Sequence, residues 1–380
     1  MEKAVKKIRA LAGVLLFVLA LSAFPLVMLF TPDRSFSENE NRYLSQKPQF
    51  SVSRLMSGEF MEDMEKYLDD QFPLRNFWTA AKSELLLLSG SREINGVYWG
   101  AEGYLIERWA PENFDVALLR ENIAAVETLG ESRSMPVSLI PVPTAGLILE
   151  EKLPEGAPMF DQDLALALVE KEFSGCLVDL REVYSGEHTR QLYYRSDHHW
   201  TSYAALLAYC QWRGQLGENI RPGDFYSSTL TDSFRGSLYS KVLSPRCRAD
   251  GIELYERPGG GEYSVSYHFG KTESASLYAP ERLEEKDKYR FFMDGNHPEL
   301  TISTSVKNGK HLLVLKDSFA NCFIPFLTED YETIHVVDPR YFKQSLADYM
   351  DEKNINECLV LCSLQNLCQS EALCALLDSK

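Results

Sequence analysis

The chain is poor in positive charge. Its 39 Lys and Arg residues stand against 55 Asp and Glu residues, so the formal net charge of the 380 residues is −16. Nucleic-acid binding depends on a basic surface that neutralises phosphate groups. The charge balance therefore excludes nucleic acid as an expected partner. The negative net charge also disfavours long-range attraction to an anionic polymer. A local basic cleft is still compatible with this net charge.

Several motifs of common catalytic and metal sites are missing. The eight cysteines contain no C-x-x-C pair, and no H-E-x-x-H segment occurs, so the usual zinc patterns are absent. The G-x-S-x-G turn of standard α/β-hydrolases is absent as well. The cysteines stand singly on apolar segments, which favours buried free thiols over disulfides. We expect neither a cofactor nor a bound metal.

The N-terminus carries the clearest topological signal. Four basic residues within the first nine positions precede an uncharged run over residues 10–30. That run has about the 20 residues that a helix needs to cross a bilayer, and the basic flank predicts a cytoplasmic amino end. We expect an uncleaved anchor with the bulk of the chain extracytoplasmic. A signal peptide cleaved near "ALSAF" (20–24) is the alternative.

Hydrophobic patterning divides the rest of the chain. Residues 1–31 are predicted to be a cytoplasmic stub and transmembrane anchor, and residues 32–110 a stalk with a helical and hairpin segment. Residues 111–380 are predicted to form an α/β domain with a central, mainly parallel sheet flanked by helices, because short, nearly continuous apolar runs alternate with helical patterns. The runs are 136–143, 176–180, 310–318, 332–338 and 357–363. Residues 221–309 are rich in Gly, Pro and Tyr and predict an antiparallel insertion.

The segment "YYRSDHHWTS" (193–202) concentrates polar chemistry. In an extended or turn conformation Asp197 and His199 share a side, whereas His198 faces away. A carboxylate on Nδ1 of His199 leaves Nε2 free to act as a base, as a hydrolytic triad requires. Two alternatives use the same residues: a metal site built from Asp197 and both histidines, or a polar helix start with Trp200 in the core.

The segment "LLVLKDSFANCF" (312–323) supplies the missing partner of a triad. An apolar strand ends at Lys316, and Ser318 follows at the start of a short helix. Such a strand–turn–helix presents a nucleophilic serine beside backbone N–H groups that can bind an oxyanion. Asp-Ser is also a routine helix cap. Together with Asp197 and His199, however, Ser318 makes a coherent triad at the edge of the predicted sheet.

At this point the sequence resembles a known family. "SENENR" (37–42), "DQFPLR" (70–75), "NGVYWG" (95–100), "YYRSDHHWTSYAA" (193–205), "GNHP" (295–298) and "KDSFANCFIPFL" (316–327) are similar to motifs of the DHHW family of Gram-positive bacteria. That family is in turn similar to the alginate O-acetylation proteins, which have an SGNH-hydrolase-like fold. The resemblance implies that fold here, with Ser318, His199 and Asp197 as catalytic residues. One departure is Lys316, which stands where the G-D-S block of SGNH hydrolases has glycine.

The resemblance also implies an activity. Such proteins pass an acetyl group from an acyl-serine to a polysaccharide hydroxyl, beside a membrane-bound O-acyltransferase that supplies it. The resemblance therefore implies an O-acetyltransferase that acts on an envelope polysaccharide. The alternatives are a carbohydrate O-acetyl esterase, which runs through the same acyl-enzyme, and a non-catalytic binding or assembly protein of the envelope.

Three further residues are candidates for substrate or oxyanion contacts. Asn296 offers a side-chain donor to an oxyanion, beside the N–H of Ser318, although "DGN" is also typical of a turn. Arg340 follows a predicted strand and is a candidate for orienting an acceptor or a carboxylate, or for a structural ion pair. Tyr194, with Tyr193, is expected either to line a sugar groove or to pack in the core.

Overall fold

The chain folds into two compact units. The computed structural model describes residues 2–37, 39 and 42–378. One unit comprises residues 1–91 with 242–245, and the other comprises residues 92–241 with 246–380. The domain limits expected at 31/32 and 110/111 stay a prediction.

The first unit is mainly helical. Its helices are α1 (Glu2–Phe30), α2 (Val52–Ser57), α3 (Glu59–Asp70) and α4 (Arg75–Leu88), and its strands are β1 (Phe36–Ser37) and β2 (Arg42–Tyr43). Asp70 ties the strand pair to the end of α3, because its carboxylate accepts hydrogen bonds from Arg42 and from the N–H of Ser45. The hydrogen bond from Arg42 lowers the pKa of Asp70 to about 2.

The N-terminal helix bears on the predicted anchor. Among the residues that the structure describes, no helix is both long and apolar enough to cross a membrane. The membrane-spanning helix expected over residues 10–30 is therefore not supported, and membrane localisation stays a prediction. The side chains of the basic residues before residue 10 lie outside the described part of the chain. So do residues 38, 40 and 41 of the "SENENR" motif.

The second unit contains most of the regular structure. Its helices are α5 (Val116–Arg133), α6 (Ala145–Ile148), α7 (Gln162–Glu172), α8 (Arg181–Ser185), α9 (Ser202–Gln215), α10 (Ser237–Val242), α11 (Leu346–Glu352), α12 (Leu364–Gln369) and α13 (Ala372–Leu377). Its strands are β3 (Glu93–Ile94), β4 (Val97–Trp99), β5 (Leu105–Glu107), β6 (Val137–Val142), β7 (Cys176–Leu177), β8 (Tyr226–Phe234), β9 (Asp250–Glu256), β10 (Tyr263–Tyr267), β11 (Thr272–Ser274), β12 (Glu299–Thr304), β13 (His311–Lys316), β14 (Thr333–Val337) and β15 (Glu357–Ser363).

An eight-stranded sheet organises this unit. Its strand order is β11-β10-β12-β14-β13-β15-β6-β7. The strands from β14 to β7 are parallel to one another, and β12, β10 and β11 extend the sheet with antiparallel pairs. The expectation of an α/β fold with a mainly parallel central sheet is confirmed. The insertion is antiparallel as expected, yet three of its strands belong to the same sheet.

Apolar side chains cover both faces of the sheet. Alternate residues of β13 point to opposite sides, so Leu312 and Val314 pack in the core that contains α9, whereas Leu313 and Leu315 pack in the core that contains α5 and α7. This explains why β13 and β15 are nearly continuous apolar runs. The eight cysteines are free thiols, and six of them are buried.

A buried amide ties α5 to the C-terminal helices. Asn122 is fully buried, and its Nδ2 donates to the carbonyl oxygens of Leu367 and Ser370 at 2.9 and 3.0 Å. Its Oδ1 accepts from the N–H of Cys374 at 2.9 Å. These bonds satisfy backbone groups at the adjoining ends of α12 and α13.

Replacing Asn122 with Ala should destabilise the second unit. The change leaves buried backbone groups without partners, and each costs about 1–3 kcal/mol. We expect the free energy of unfolding to fall by about 3 kcal/mol, measured by urea denaturation. Glu121→Gln, one position earlier on the exposed side of α5, is the matched control. Equal unfolding midpoints for the two variants would contradict the role assigned to Asn122.

Candidate active site

The D-H-H-W segment forms a tight loop in front of α9. Tyr193 and Trp200 make an antiparallel bridge, and the N–H of Tyr194 donates to the carbonyl oxygen of His199 at 3.2 Å. Thr201 caps α9 by accepting from the N–H of Ala204. The Trp200 indole is buried and donates to the carbonyl oxygen of Phe319 at 2.8 Å, which ties this loop to the segment that carries Ser318.

A buried carboxylate orders the turn before Asp197. Asp250, at the start of β9, accepts from the N–H groups of Arg195 and Ser196, both at 2.9 Å. It also accepts from the Ser196 hydroxyl at 2.6 Å and from the Gln191 amide at 2.8 Å. This contact is not evident from the sequence, because Asp250 lies in the insertion, far from the motif along the chain.

Asp197, His199 and Ser318 lie in one chain of hydrogen bonds. Nδ1 of His199 is 2.5 Å from Oδ1 of Asp197, and Nε2 of His199 is 2.7 Å from Oγ of Ser318. Since a carboxylate only accepts, Nδ1 carries the proton and Nε2 accepts from the serine hydroxyl. This is the arrangement in which an imidazole can take a proton from a serine. The structure thus brings together the three residues predicted from two separate motifs.

The insertion holds the carboxylate of Asp197 in place. Its Oδ2 accepts from the N–H of Ser237 at 2.7 Å, and Gly236 lies directly against the carboxyl group. Burial acts to raise the pKa of Asp197, but the charges of His199 and His198 and the hydrogen bonds from His199 and Ser237 outweigh it and lower the pKa. Asp197 therefore stays ionised although it is buried.

Ser318 is presented at the carboxyl end of β13. It begins the 3₁₀-helix Ser318–Cys322, which Asp317 caps by accepting from the N–H of Phe319 at 2.9 Å. Asp317 also accepts from the N–H of Ser363 and from the Asn366 amide, which fixes it to the end of β15. Within the described residues, the N–H of Ser318 donates no hydrogen bond to another group of the protein. It is thus available to an oxyanion.

A cavity of about 230 Å³ opens onto Ser318. Its walls come from the segments that follow β6, β13, β14 and β15, including Thr144, Ser318, Arg340 and Asn366. The carboxyl ends of parallel strands meet at one edge of a sheet, which is where ligands bind in open α/β folds. Ser318 is half-buried, so its hydroxyl is accessible from this cavity.

Burial and aromatic packing define the state of His199. Burial, together with the neighbouring His198, lowers the pKa of His199 below its usual 6.5. Tyr289 stacks on the imidazole with ring centroids 4.1 Å apart, and its hydroxyl donates to the carbonyl oxygen of Ser318 at 3.2 Å. The sequence did not single out Tyr289, because a buried tyrosine in "DKYRFF" is typical of a core residue.

The expectation that His198 faces away from the site was wrong. Its ring centroid is 3.9 Å from that of His199, it lines the cavity, and its Nδ1 is 2.7 Å from Oγ of Ser237. The tight loop, unlike an extended strand, places consecutive side chains side by side. Asp197, His198 and His199 offer ligand atoms within 4.8 Å of one another. A metal there would have to displace a hydrogen bond to Asp197 or Ser318, since both ring nitrogens of His199 are engaged.

The structure does not place Asn296 in the cavity, in contrast to its predicted oxyanion role. Oδ1 of Asn296 accepts from Nζ of Lys316 at 2.8 Å, and Lys316 also donates to Oδ1 of Asn321 at 2.7 Å. Lys316 is buried, and burial lowers its pKa to about 8. A buried ammonium group needs oxygen acceptors, and this need orients the Asn296 carbonyl toward Lys316.

Arg340 forms a structural ion pair and Tyr194 packs in the core, which were the alternative interpretations of these two residues. Arg340 forms a bidentate ion pair with buried Asp338, at 2.8 and 2.6 Å, and its side chain lines the cavity. Its role toward a substrate stays a prediction. Tyr194 and Tyr193 are fully buried in the core, so the expectation that they line a sugar groove was wrong. Their rings pack against core aromatic residues: Tyr194 contacts Phe234, and Tyr193 contacts Tyr184.

Known proteins resemble this architecture. The family model described as "DHHW protein" matches residues 169–337, which include Asp197, His199 and Ser318. The resemblance to the DHHW family is confirmed. Among curated proteins, none matches the sequence.

Solved structures share the fold. A DHHW family protein from Eubacterium siraeum has a TM-score of 0.62 and 21% identity, covering 74% of this chain and 95% of that chain. PatB1 from Bacillus cereus, with a sulfonyl adduct, has a TM-score of 0.62 and 19% identity, covering 71% of this chain and 96% of that chain. The O-acetyltransferase domain of Pseudomonas putida AlgJ has a TM-score of 0.47 and 14% identity, covering 75% of this chain and 99% of that chain. The DHHW protein and PatB1 establish the shared fold.

Gly236→Ala should slow any reaction of Ser318. A Cβ at Gly236 would overlap the carboxyl group and Cβ of Asp197, so Asp197 and His199 must move. A displacement of about 1 Å in a catalytic group costs about 100-fold in rate. We expect a loss of that order in the rate at which a fluorophosphonate labels Ser318. Gly214→Ala, where a Cβ meets nothing within 4 Å, is the matched control. Equal rates in the two variants would contradict the positioning of Asp197 by Gly236.

The labelling of Ser318 should depend on pH through His199. The base must be neutral, and the lowered pKa keeps it neutral to more acidic pH than an ordinary histidine. The labelling rate should therefore fall only as pH drops below about 6.5. Because His198 is a like charge that lowers this pKa, His198→Gln should move the midpoint to higher pH. A wild-type midpoint above pH 7, measured from rate against pH, would contradict this account.

Proposed function

We propose that this protein is an extracytoplasmic O-acetyltransferase that acts on a cell-envelope polysaccharide through an acyl-serine intermediate. Ser318 is the nucleophile, His199 the general base and acid, and Asp197 the residue that orients His199. That the transferred group is acetyl follows from the D-x-H-W and D-S-F motifs, which resemble those of alginate O-acetylation proteins.

One observation carries the proposal: a half-buried serine hydroxyl lies 2.7 Å from an imidazole whose other nitrogen is bound to a buried, ionised carboxylate. A non-catalytic protein does not require these three groups to stay in one chain of hydrogen bonds. The accessible cavity at Ser318 and the N–H group beside its hydroxyl also support acyl transfer over pure binding.

The first half of the reaction acylates the serine. His199 Nε2 takes the hydroxyl proton as Oγ of Ser318 bonds to the carbonyl carbon of the donor. The developing oxyanion is placed to accept from the N–H of Ser318. When the intermediate collapses, the bond from the carbonyl carbon to the donor's leaving group breaks. The leaving group takes the proton from His199, and Ser318 carries the acetyl ester.

The second half transfers the acetyl group. A sugar hydroxyl gives its proton to His199 Nε2 and bonds to the carbonyl carbon of the ester. The ester bond to Oγ then breaks, and the same proton returns to Ser318. Water in place of the sugar hydroxyl releases acetate, so access of water to the cavity separates a transferase from an esterase.

The donor and the location belong to the same proposal. A membrane-bound O-acyltransferase supplies the acetyl group from the membrane, and the uncharged run over residues 10–30 keeps the protein beside it. The acceptor is an envelope polysaccharide on the outer side of the membrane.

Ser318→Ala should abolish covalent labelling. Because the similar structure of PatB1 carries a sulfonyl adduct, an aryl sulfonyl fluoride is a suitable probe. We expect intact-mass spectrometry to show one adduct on the wild type and none on Ser318→Ala. Ser305→Ala, an exposed serine outside the cavity, is the control that retains the adduct. An adduct on Ser318→Ala at the wild-type rate would refute the serine nucleophile.

A second measurement separates the activities. Envelope polysaccharide from cells that carry Ser318→Ala should contain less O-acetyl than the wild type. A higher acetyl content would identify an esterase. An unchanged acetyl content, together with normal labelling of the wild type, would exclude this polysaccharide as the acceptor.

A further inference from the structure

Helix α4 of the first unit exposes an apolar stripe. Leu74, Phe77, Trp78, Leu85 and Leu88 have exposed fractions of 71%, 59%, 43%, 67% and 72%. Their spacing of three, one, seven and three positions places them on one face of the helix. Large apolar side chains that are singly exposed are ordinary, but a contiguous stripe along a helix marks an interaction surface.

The stripe lies on the side of α4 that is turned away from its own unit. Ser83 and Leu87 are the buried residues of this helix. The Ser83 hydroxyl donates to the carbonyl oxygen of Val242 at 2.5 Å, within the same unit. At about 100° per residue, Ser83 and Leu87 are on the face opposite Trp78 and Leu85. Packing of the unit therefore already uses one face of α4 and leaves the stripe outward.

Basic side chains border the stripe. At helical spacing Arg75 and Lys82 lie along the same edge of it, beside Trp78. Long basic side chains next to aromatic and aliphatic ones are the composition of helices that lie in the interface of a bilayer with anionic headgroups. The indole of Trp78 suits the same layer, because its ring is apolar and its N–H polar.

The segment that follows the uncharged N-terminal run is fixed to the end of α3, just before α4. The N–H of Arg34 donates to the Gln71 side chain at 3.0 Å, and that side chain donates back to the carbonyl oxygen of Arg34 at 2.9 Å. The Tyr67 hydroxyl donates to Asp33 at 2.9 Å. Three residues after Gln71 the stripe begins at Leu74. The chain that follows the uncharged run is thus held within a few residues of the start of α4.

From these contacts we propose that α4 lies flat on an anionic lipid bilayer, with the stripe in the acyl region and Arg75 and Lys82 at the headgroups. The helix has 14 residues, so it lies along the surface and does not span it. This goes beyond the acyl transfer proposed for Ser318 and does not depend on it. Its consequence is that α4 holds the first unit against the membrane surface.

Tryptophan fluorescence tests this arrangement in the full-length chain. The protein is reconstituted into vesicles of phosphatidylcholine and phosphatidylglycerol, with either brominated or ordinary acyl chains. Bromine quenches only indoles that reach the acyl region. The chain has five tryptophans, and residues 10–30 contain none. Trp109, Trp200 and Trp212 are at most 1% exposed, which leaves exposed Trp78 on the stripe and half-buried Trp99 outside it.

The expected result is lower emission in brominated vesicles, and Trp78→Phe should remove most of that difference. Trp99→Phe is the matched control and should leave the difference intact. Replacing phosphatidylglycerol with phosphatidylcholine should reduce the quenching. Equal emission in both vesicle types, or quenching that survives Trp78→Phe, would overturn the proposal. So would a stable dimer that Leu85→Glu converts to monomers without any quenching, because the stripe would then be an interface between two copies.

Discussion

The hydrogen bond between Asp197 and His199 is the interaction on which the candidate site depends. It fixes the tautomer of the imidazole, and with it the ability of Nε2 to accept from Ser318. A buried carboxylate is stable as an anion only when its oxygens are satisfied. The backbone N–H groups of His199 and Ser237 meet this condition, and Gly236 allows the chain to come close enough. Much of the local backbone is therefore arranged around the ionised carboxylate of Asp197.

That requirement gives the insertion a role that its composition did not reveal. Residues 221–309 extend the central sheet by three strands, and they also supply Gly236, Ser237, Asp250 and Tyr289 to the surroundings of the triad. Gly236 and Ser237 hold the acid, Asp250 shapes the turn before it, and Tyr289 supports the imidazole. The parallel strands position the nucleophile, whereas the insertion positions the acid and the base. The site is complete only where these two parts of the second unit meet.

The sequence was informative where one physical cause dominates. Continuous apolar runs identified β6, β13, β14 and β15, since strands buried on both faces tolerate few polar residues. Asp197, His199 and Ser318 could be named because their residue types and local breaks in structure match a known chemistry. Asn296 and Tyr194 could not be placed in the same way. Whether a side chain reaches a cavity depends on partners distant in the sequence, such as Lys316 for Asn296 and the surrounding core aromatics for Tyr194. Periodicity carries no signal for such contacts, and the position of His198 was misjudged for the same reason.

The buried ammonium group of Lys316 restricts which amino-acid substitutions this part of the chain tolerates. The charge of Lys316 is met by the carbonyl groups of Asn296 and Asn321. Substitution of the lysine alone removes the donor to the Asn321 amide oxygen, whereas the Asn296 oxygen still accepts from the Asn321 amide. Substitution of either asparagine alone leaves a buried cation short of an acceptor. Substitutions at the three positions are therefore coupled to one another. Related proteins that keep the lysine should therefore keep both asparagines.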